Sequence, residues 1–366
     1  MGTPTETYVD PSIAADSGAG TSGDPYGDLQ YALDTVTRDS TNGDRFNIKS
    51  GTDEILSSSL SLATYGSPGT TSPLIFQGYT TTAEDGGIGG ISGNGSVAIW
   101  NNTINDYIHW VDLHLHTCGA ATIVTVDVRC SFTNCEFDNT TGGGVVTDSA
   151  CRFFNCYFHN IGAVGIQVAA TAIIEGCYFK NETNDFTTAI LSTTADSYIG
   201  SNTLDLDGTS NGIVFSSHRN LIKGNSVFSS AGTGTGIEIT SGYNQILINN
   251  ICEGFSGTGG IGFDLQSGAD FILYGNNAAY NNATNYNENS DFISDIGNNE
   301  TLLASPFTNA GSADFTIDTT VKATAYPTDN YNGLSIRTHL DKGALQREEA
   351  GGSASGVRNP VRGPIG

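Results

Sequence analysis

His114, His116 and Cys118 alternate along one short stretch, so a strand there points all three side chains the same way. A His-X-His pair of that kind can bind zinc or copper. Leu113 and Leu115 take the opposite face, which puts the histidines on the solvent or interface side. Aligned on the repeat of the chain, His114 shares a column with Asp138, His159 and Lys180, an ordinary polar column, and no metal ligand is assigned. Asp205 and Asp207 share a strand face, and hydrolysis of a glycosidic bond needs two carboxylates, one of them protonated. Both also fit an exposed acidic edge. Elimination chemistry needs a base, usually Lys or Arg, and commonly a Ca²⁺ held by several carboxylates. Arg219-Asn220-Leu221-Ile222-Lys223 is the nearest basic pairing, and no column of Asp stacks beside it. The sequence therefore assigns no catalytic residue and no cofactor. Gly257–Gly262 satisfies G-x-G-x-x-G, but no helix follows to offer its N-terminus to a phosphate, so it reads as a corner.

The elements that carry these residues repeat. Ile123-Val124, Val145-Val146, Ile166-Gln167, Ile190-Leu191, Ile213-Val214, Ile237-Glu238 and Ile261-Gly262 recur at offsets of roughly 21 to 24 residues, the solenoid range. Asn134-Cys135-Glu136-Phe137, Asn155-Cys156-Tyr157-Phe158 and Gly176-Cys177-Tyr178-Phe179 are one motif written three times. Later rows put Asn202, Asn225 and Asn250 where the cysteines stood. One short strand per row, bounded by Gly, Asn, Ser and Thr corners, stacks like residues at about the 4.8 Å strand spacing. Cys135, Cys156 and Cys177 then form one inward column, and Phe137, Phe158 and Phe179 another beside it. Asn202, Asn225 and Asn250 suit an internal turn in which stacked amides hydrogen-bond to one another. Glu136, Tyr157, Asp138, His159 and Lys180 face solvent. This is a parallel β-helix pattern.

At the N-terminal end, Asp24-Pro25 reads as a helix cap and first-turn proline. Leu29, Ala32, Leu33 and Val36 follow as one apolar stripe, and such a helix would cover the open end of the coil. Residues 1–44 thus form an arm and capping helix, 45–347 the coil, and 348–366 an extended tail. A longer loop is expected within Asn276–Ser290, and closing strands at Phe315–Ile317 and Leu334–Ile336. The Gly/Ser tether after Glu348 ends in Val357-Arg358-Asn359-Pro360-Val361-Arg362, a poor folding element. That peptide is either a flexible tail or an arm that binds a partner.

A solenoid grows along its axis, so 366 residues can remain one domain. With 14% charged residues and 47 glycines the chain is too apolar for disorder and too glycine-rich for a helical protein. A net charge of −24 excludes an extended nucleic-acid groove and discourages contact with anionic membranes. No basic start with an apolar run opens the chain, which is expected to be made in the cytoplasm. Seven cysteines, stacked in columns and odd in number, read as reduced core thiols.

These rows resemble the right-handed parallel β-helix (pectin-lyase-like) superfamily, in the short-rung form shared by secreted carbohydrate enzymes and phage virion proteins. Tyr8-Val9-Asp10-Pro11, Gly18–Pro25 and Leu29–Val36 look like the opening segment of that family. Ser305-Pro306-Phe307, Ala313-Asp314-Phe315 and Asp341-Lys342-Gly343-Ala344-Leu345 resemble its terminal rungs. The resemblance implies an all-β, single-stranded, right-handed parallel β-helix. Its pectin-degrading hydrolases carry paired Asp with Gly-His-Gly and Arg-Ile-Lys elements, which this chain lacks. The expected function is accordingly a non-enzymatic virion structural protein of a tailed bacteriophage: a capsid decoration protein, or a spike or fibre subunit. It would be a homotrimer that meets other virion proteins through the C-terminal tail. A secreted or spike-borne polysaccharide lyase or glycoside hydrolase, and an adhesin that binds a surface glycan, are the alternatives.

Overall fold

The computed structural model describes residues 2–101, 107–297 and 299–309, with the strands Asp314–Ile317, Lys322–Ala323 and Leu340–Asp341. Short strands wind into three parallel stacks of 12, 11 and 9 strands. The chain visits the three in turn, which makes a parallel β-solenoid of about nine turns with a single helix among the described residues. The first stack runs from Thr5–Val9 to Ile293–Gly297, the second from Glu54–Ile55 to Glu300–Thr301, and the third from Trp100–Asn101 to Thr284–Glu288.

Strands stay short because left-handed residues turn the chain. Between the first and second faces stand Asn134, Asn155, Asn249 and Asn276 at φ 53°, 53°, 59° and 54°, a conformation Asn tolerates better than most residues. Inside the coil, side chains of equal type stack. Phe137 and Phe158 lie 4.5 Å apart at 2°, and Phe158 and Phe179 4.8 Å apart at 8°, all three fully buried. Such pairs add about 0.5–1.5 kcal/mol each beyond the area they bury.

Cys135, Cys156, Cys177, Asn202, Asn225 and Asn250 occupy one buried corner column, which runs on through Asn277 and Asn299. The Asn202 amide donates to Asn225 Oδ1 at 3.0 Å, Asn225 to Asn250 at 3.0 Å, and Asn250 to Asn277 at 3.1 Å. Thiol and amide do the same work here. The Cys135 and Cys156 thiols donate to the carbonyls of Trp110 and Phe132, and the Asn202 and Asn225 amides donate to those of Ile174 and Ile199 in the same inner column. All seven cysteines are buried and unbridged.

Several boundaries differ from the sequence reading. Thr5–Val9, placed in an arm, is the first strand and pairs in parallel with Asp44–Lys49. The helix is Leu29–Thr35, capped by Asp28, whose carboxylate accepts from Tyr31 N at 2.6 Å, whereas Asp24 closes a turn with Thr21. Leu29, Ala32 and Leu33 of that helix are fully buried. Asn276–Ser290 does not leave the coil. Its asparagines are corners and ladder members, and it supplies the strands Ala278–Tyr280 and Thr284–Glu288. In the third stack Val145 pairs with Val124, and Ile237 with Phe263, so the doublets at Ile123 and Ile261 are slightly out of register. Among the described residues parallel pairing ends at Glu300–Thr301, short of residue 347, and Phe307–Asn309 pairs antiparallel with Asp314–Ile317. Leu334–Ile336 and the tail with Val357, Arg358, Asn359, Pro360, Val361 and Arg362 lie outside the described residues. No helix among them is long and apolar enough to cross a membrane.

Candidate functional site

Alternation on the second stack decides which side chains reach its outer surface. Leu113, Leu115, Phe137, Phe158, Phe179 and Leu204 point inward and are fully buried. The residues between them therefore point out. Register stacks them into two columns. His114, Glu136, Tyr157 and Tyr178 follow one another in the first. In the second, His116 pairs with Asp138, His159 with Lys180, and Lys180 with Asp205. It is thus His116, not His114, that shares a level with Asp138. Cys118 does not join the two histidines. Thr117 takes a left-handed conformation (φ 57°), which reverses the alternation and sends Cys118 into the core.

The two columns interlock diagonally. His114 Nε2 lies 3.0 Å from Asp138 Oδ1. His159 Nε2 lies 2.9 Å from Glu136 Oε1 and 3.8 Å from Asp138 Oδ2, and its Nδ1 lies 3.0 Å from Glu182 Oε2. Lys180 Nζ holds Glu182 in turn at 2.8 Å. Asp53, just before the first strand of the stack, brings Oδ2 within 3.2 Å of His116 Nε2. That approach depends on Gly90, where a Cβ would stand 1.9 Å from Asp53 Oδ1. Ring stacking orders the surface further: His114 on His116 at 4.1 Å, Tyr157 on His159 at 4.2 Å and Tyr157 on Tyr178 at 5.2 Å.

The electrostatics divide the face. Burial alone would lower His114 and His159, but the carboxylate of Asp138 on the first, and those of Glu136 and Glu182 on the second, outweigh it and raise both. The hydrogen bond with His159 holds Glu136 below the usual carboxylate range. Asp138 is also lowered, its burial outweighed by the hydrogen bond with His114. Asp205 goes the other way. Burial, reinforced by the charge of Asp207, pushes it up to about 6, while its Oδ2 accepts from the Tyr178 hydroxyl at 3.4 Å. One end of the face is an ionised carboxylate–imidazole network, and the other holds a carboxyl that keeps its proton into mildly acidic conditions.

Sequence reasoning places Glu136, Asp138, His159 and Lys180 outside the coil as an ordinary polar surface and singles out neither Glu182 nor Asp53. The available signal is compositional: His114, His116, Glu136, Asp138, His159, Lys180 and Asp205 put seven titratable groups on one face of a chain that is only 14% charged. Arg219 and Lys223 stand apart from this face. Arg219 forms a bidentate pair with Asp196 at 2.7 Å on another corner. Gly259 turns at φ 86° in the glycine-rich corner.

No protein-family model matches the chain, and no curated protein does. Among solved structures, the pectate lyase Pel9A superposes with a TM-score of 0.53 at 14% identity, covering 95% of this chain and 98% of that one. A rhamnogalacturonan lyase superposes with a TM-score of 0.50 at 11% identity, covering 83% of this chain and 90% of its own. At such identities the likeness shows the fold, a parallel β-solenoid, and nothing of the activity.

Proposed function

We propose that the chain acts on a polysaccharide laid along the second face and cleaves it by acid–base chemistry there, with Asp205 donating the proton. The carrying observation is one outer face that holds oppositely tuned acids, a proton-retaining one at Asp205 and ionised ones on the rungs before it. Asp205 keeps its proton up to about pH 6, while Glu136 and Asp138 are held ionised beyond the stacked Tyr157 and Tyr178. Hydrolysis of a glycosidic bond uses one carboxyl to protonate the leaving oxygen and an ionised carboxylate to take a proton from the attacking water. Glu182, whose charge reaches Asp205 and which Lys180 and His159 hold ionised against its partial burial, is that second group. A net charge of −24 favours a neutral glycan over an uncompensated polyanion. Two solved structures of like fold carry the names of polysaccharide lyases, which supports the substrate class alone.

The test is incubation with a panel of neutral and acidic polysaccharides, followed by assay of new chain ends. Wild type releases them, and Asp205→Asn is at least about 100-fold slower with glycan binding retained. Binding without any release would instead identify an adhesin. Equal rates in wild type and Asp205→Asn would remove Asp205 from the chemistry.

We infer two further features of the architecture. The coil is right-handed, as in the superfamily it resembles, and helix Leu29–Thr35 closes its N-terminal end, which the complete burial of Leu29, Ala32 and Leu33 supports. The competing proposal, a trimeric virion structural protein anchored by Val357–Arg362, makes no use of the second face. Light scattering and a protein inventory of purified particles separate it from the enzyme.

A further inference from the structure

His114, His116, Asp138 and Asp53 meet at the end of the face remote from Asp205. The His114 and His116 ring nitrogens and an Asp138 oxygen all lie within 4.8 Å of one another. His114 Nε2 is 3.0 Å from Asp138 Oδ1, and His116 Nε2 is 3.2 Å from Asp53 Oδ2. With metal–ligand bonds of about 2.0–2.2 Å, the edge of a tetrahedral site is about 3.3–3.6 Å, so each of these two pairs already stands near ligand spacing, and the His114, His116 and Asp138 atoms close from within 4.8 Å to share one ion. A second observation points the same way. The His116 Nε2 atom is buried and makes no aligned hydrogen bond, although it faces the Asp53 carboxylate. The His116 side chain is only 13% exposed, which leaves the poorly aligned Asp53 carboxylate or a bound ion as the partner of Nε2.

We propose that His114, His116, Asp138 and Asp53 form a binding site for one divalent transition metal of the zinc class. The ligand set is two imidazoles and two carboxylates. Imidazole selects zinc, copper, nickel or cobalt over calcium and magnesium, which prefer an all-oxygen shell. The supports around the ligands fit the same role. The His116 Nδ1 is engaged by Thr117 Oγ1 at 2.7 Å, which fixes the ring and leaves Nε2 facing the cluster. Asp138 turns its other oxygen towards His159 at 3.8 Å, so a carboxylate bound to metal stays tied to the neighbouring network. Gly90 leaves the space that Asp53 fills. Two neighbouring rungs, one with His114 and His116 and one with Asp138, and the segment before the first strand of the stack supply the ligands, so the site would tie early turns of the coil together.

The site shares Asp138 with the glycan-binding face but does not rest on that reading, and its test uses the metal alone. Purified full-length chain, stripped with chelator, is titrated with Co²⁺ followed by absorbance and with Zn²⁺ followed by calorimetry. The expected result is one equivalent of Co²⁺ with the intense visible bands of a tetrahedral ion, displaced by Zn²⁺ and unaffected by excess Ca²⁺. His116→Ala and Asp138→Asn each weaken binding at least about 100-fold, and Asp53→Asn about 10-fold or more. His218→Ala, at a different corner and stacked on Tyr243, changes nothing. Circular dichroism of each variant confirms that the coil is retained, and His114→Gln, which preserves size, repeats the test should His116→Ala lose it. Absence of Co²⁺ binding, or binding that is equal in His116→Ala, His114→Gln and wild type, overturns the proposal whatever the glycan assays show.

Discussion

Asn225 offers the sharpest stability test, because its side chain makes four hydrogen bonds in a fully dry corner. The amide donates to Ile199 O and to Asn250 Oδ1, both at 3.0 Å. Its Oδ1 accepts from the Asn202 backbone at 3.1 Å and the Asn202 amide at 3.0 Å. Asn225→Ala leaves the Asn202 backbone N–H and one amide hydrogen without an acceptor, and leaves Ile199 O without its donor. At about 1–3 kcal/mol for each buried polar group left unpaired, with partial relaxation, the loss is about 4 kcal/mol. Asn225→Leu orphans the same groups and also excludes water, so it is at least as damaging. Asn225→Cys is the informative variant. A thiol there can donate to Ile199 O as Cys156 donates to Phe132 O at 3.5 Å, and its sulfur is a weak acceptor for the Asn202 N–H. Its loss is about half that of Asn225→Ala.

Unfolding of a solenoid need not be two-state, so hydrogen exchange resolved by peptide is the right assay. A loss of about 4 kcal/mol lowers protection by about three orders of magnitude where exchange tracks local opening. That loss is expected in the rungs holding Asn202, Asn225 and Asn250, with little change around Trp110 and Phe132. An Asn225→Leu protein as protected as wild type would refute the claim that the ladder stabilises the corner.

Other expectations follow from the same structure. Activity of the second face should fall as pH rises through about 6, because Asp205 must carry its proton; the groups that set this are Asp207, Tyr178, Lys180 and Glu182, and a rate profile checks it. Glu54 is buried, and desolvation together with the charge of Asp28 raises it from 4.5 to about 7. Its contribution is intact below pH 4.5, where folded and unfolded chains both hold the proton. It is lost as pH climbs to about 7, by roughly 3 kcal/mol at about 1.4 kcal/mol per pH unit. Glu54→Gln should remove that part of the pH dependence, read as a smaller difference in denaturant midpoint between pH 5 and pH 8 than in wild type. Gly236→Ala places a methyl group 2.7 Å from Gly262 O and 2.8 Å from Cys252 Sγ, and should destabilise by about 1–3 kcal/mol in the same assay.

The solenoid is legible in the sequence because its period is fixed by geometry. Phe137, Phe158 and Phe179 recur at the spacing on which the strands stack, so a column of side chains is visible as a column of letters. The corners are harder to read. A single left-handed residue reverses the alternation, and Thr117 carries no mark that separates it from an ordinary strand threonine, so the direction of Cys118 is hidden. The asparagines of the segment after Tyr274 read as loop by composition, yet Asn276 is a corner and Asn277 a ladder member. The site is less legible than the coil, since its contacts are diagonal. Asp138 reaches His114 across two columns, and Asp53 meets His116 only because Gly90 makes room between them. No repeat in the sequence encodes either meeting.

On the proposed function, the second face receives a sugar chain between Asp138 and Asp205. A crystal structure of the Asp205→Asn variant soaked with an oligosaccharide from the polysaccharide it binds tests it most directly. Sugar density is expected along that face, with a glycosidic oxygen within hydrogen-bond reach of residue 205 and the ring beyond it against Tyr157 and Tyr178. Sugar bound on the first or third face, with the second face bare, would contradict it.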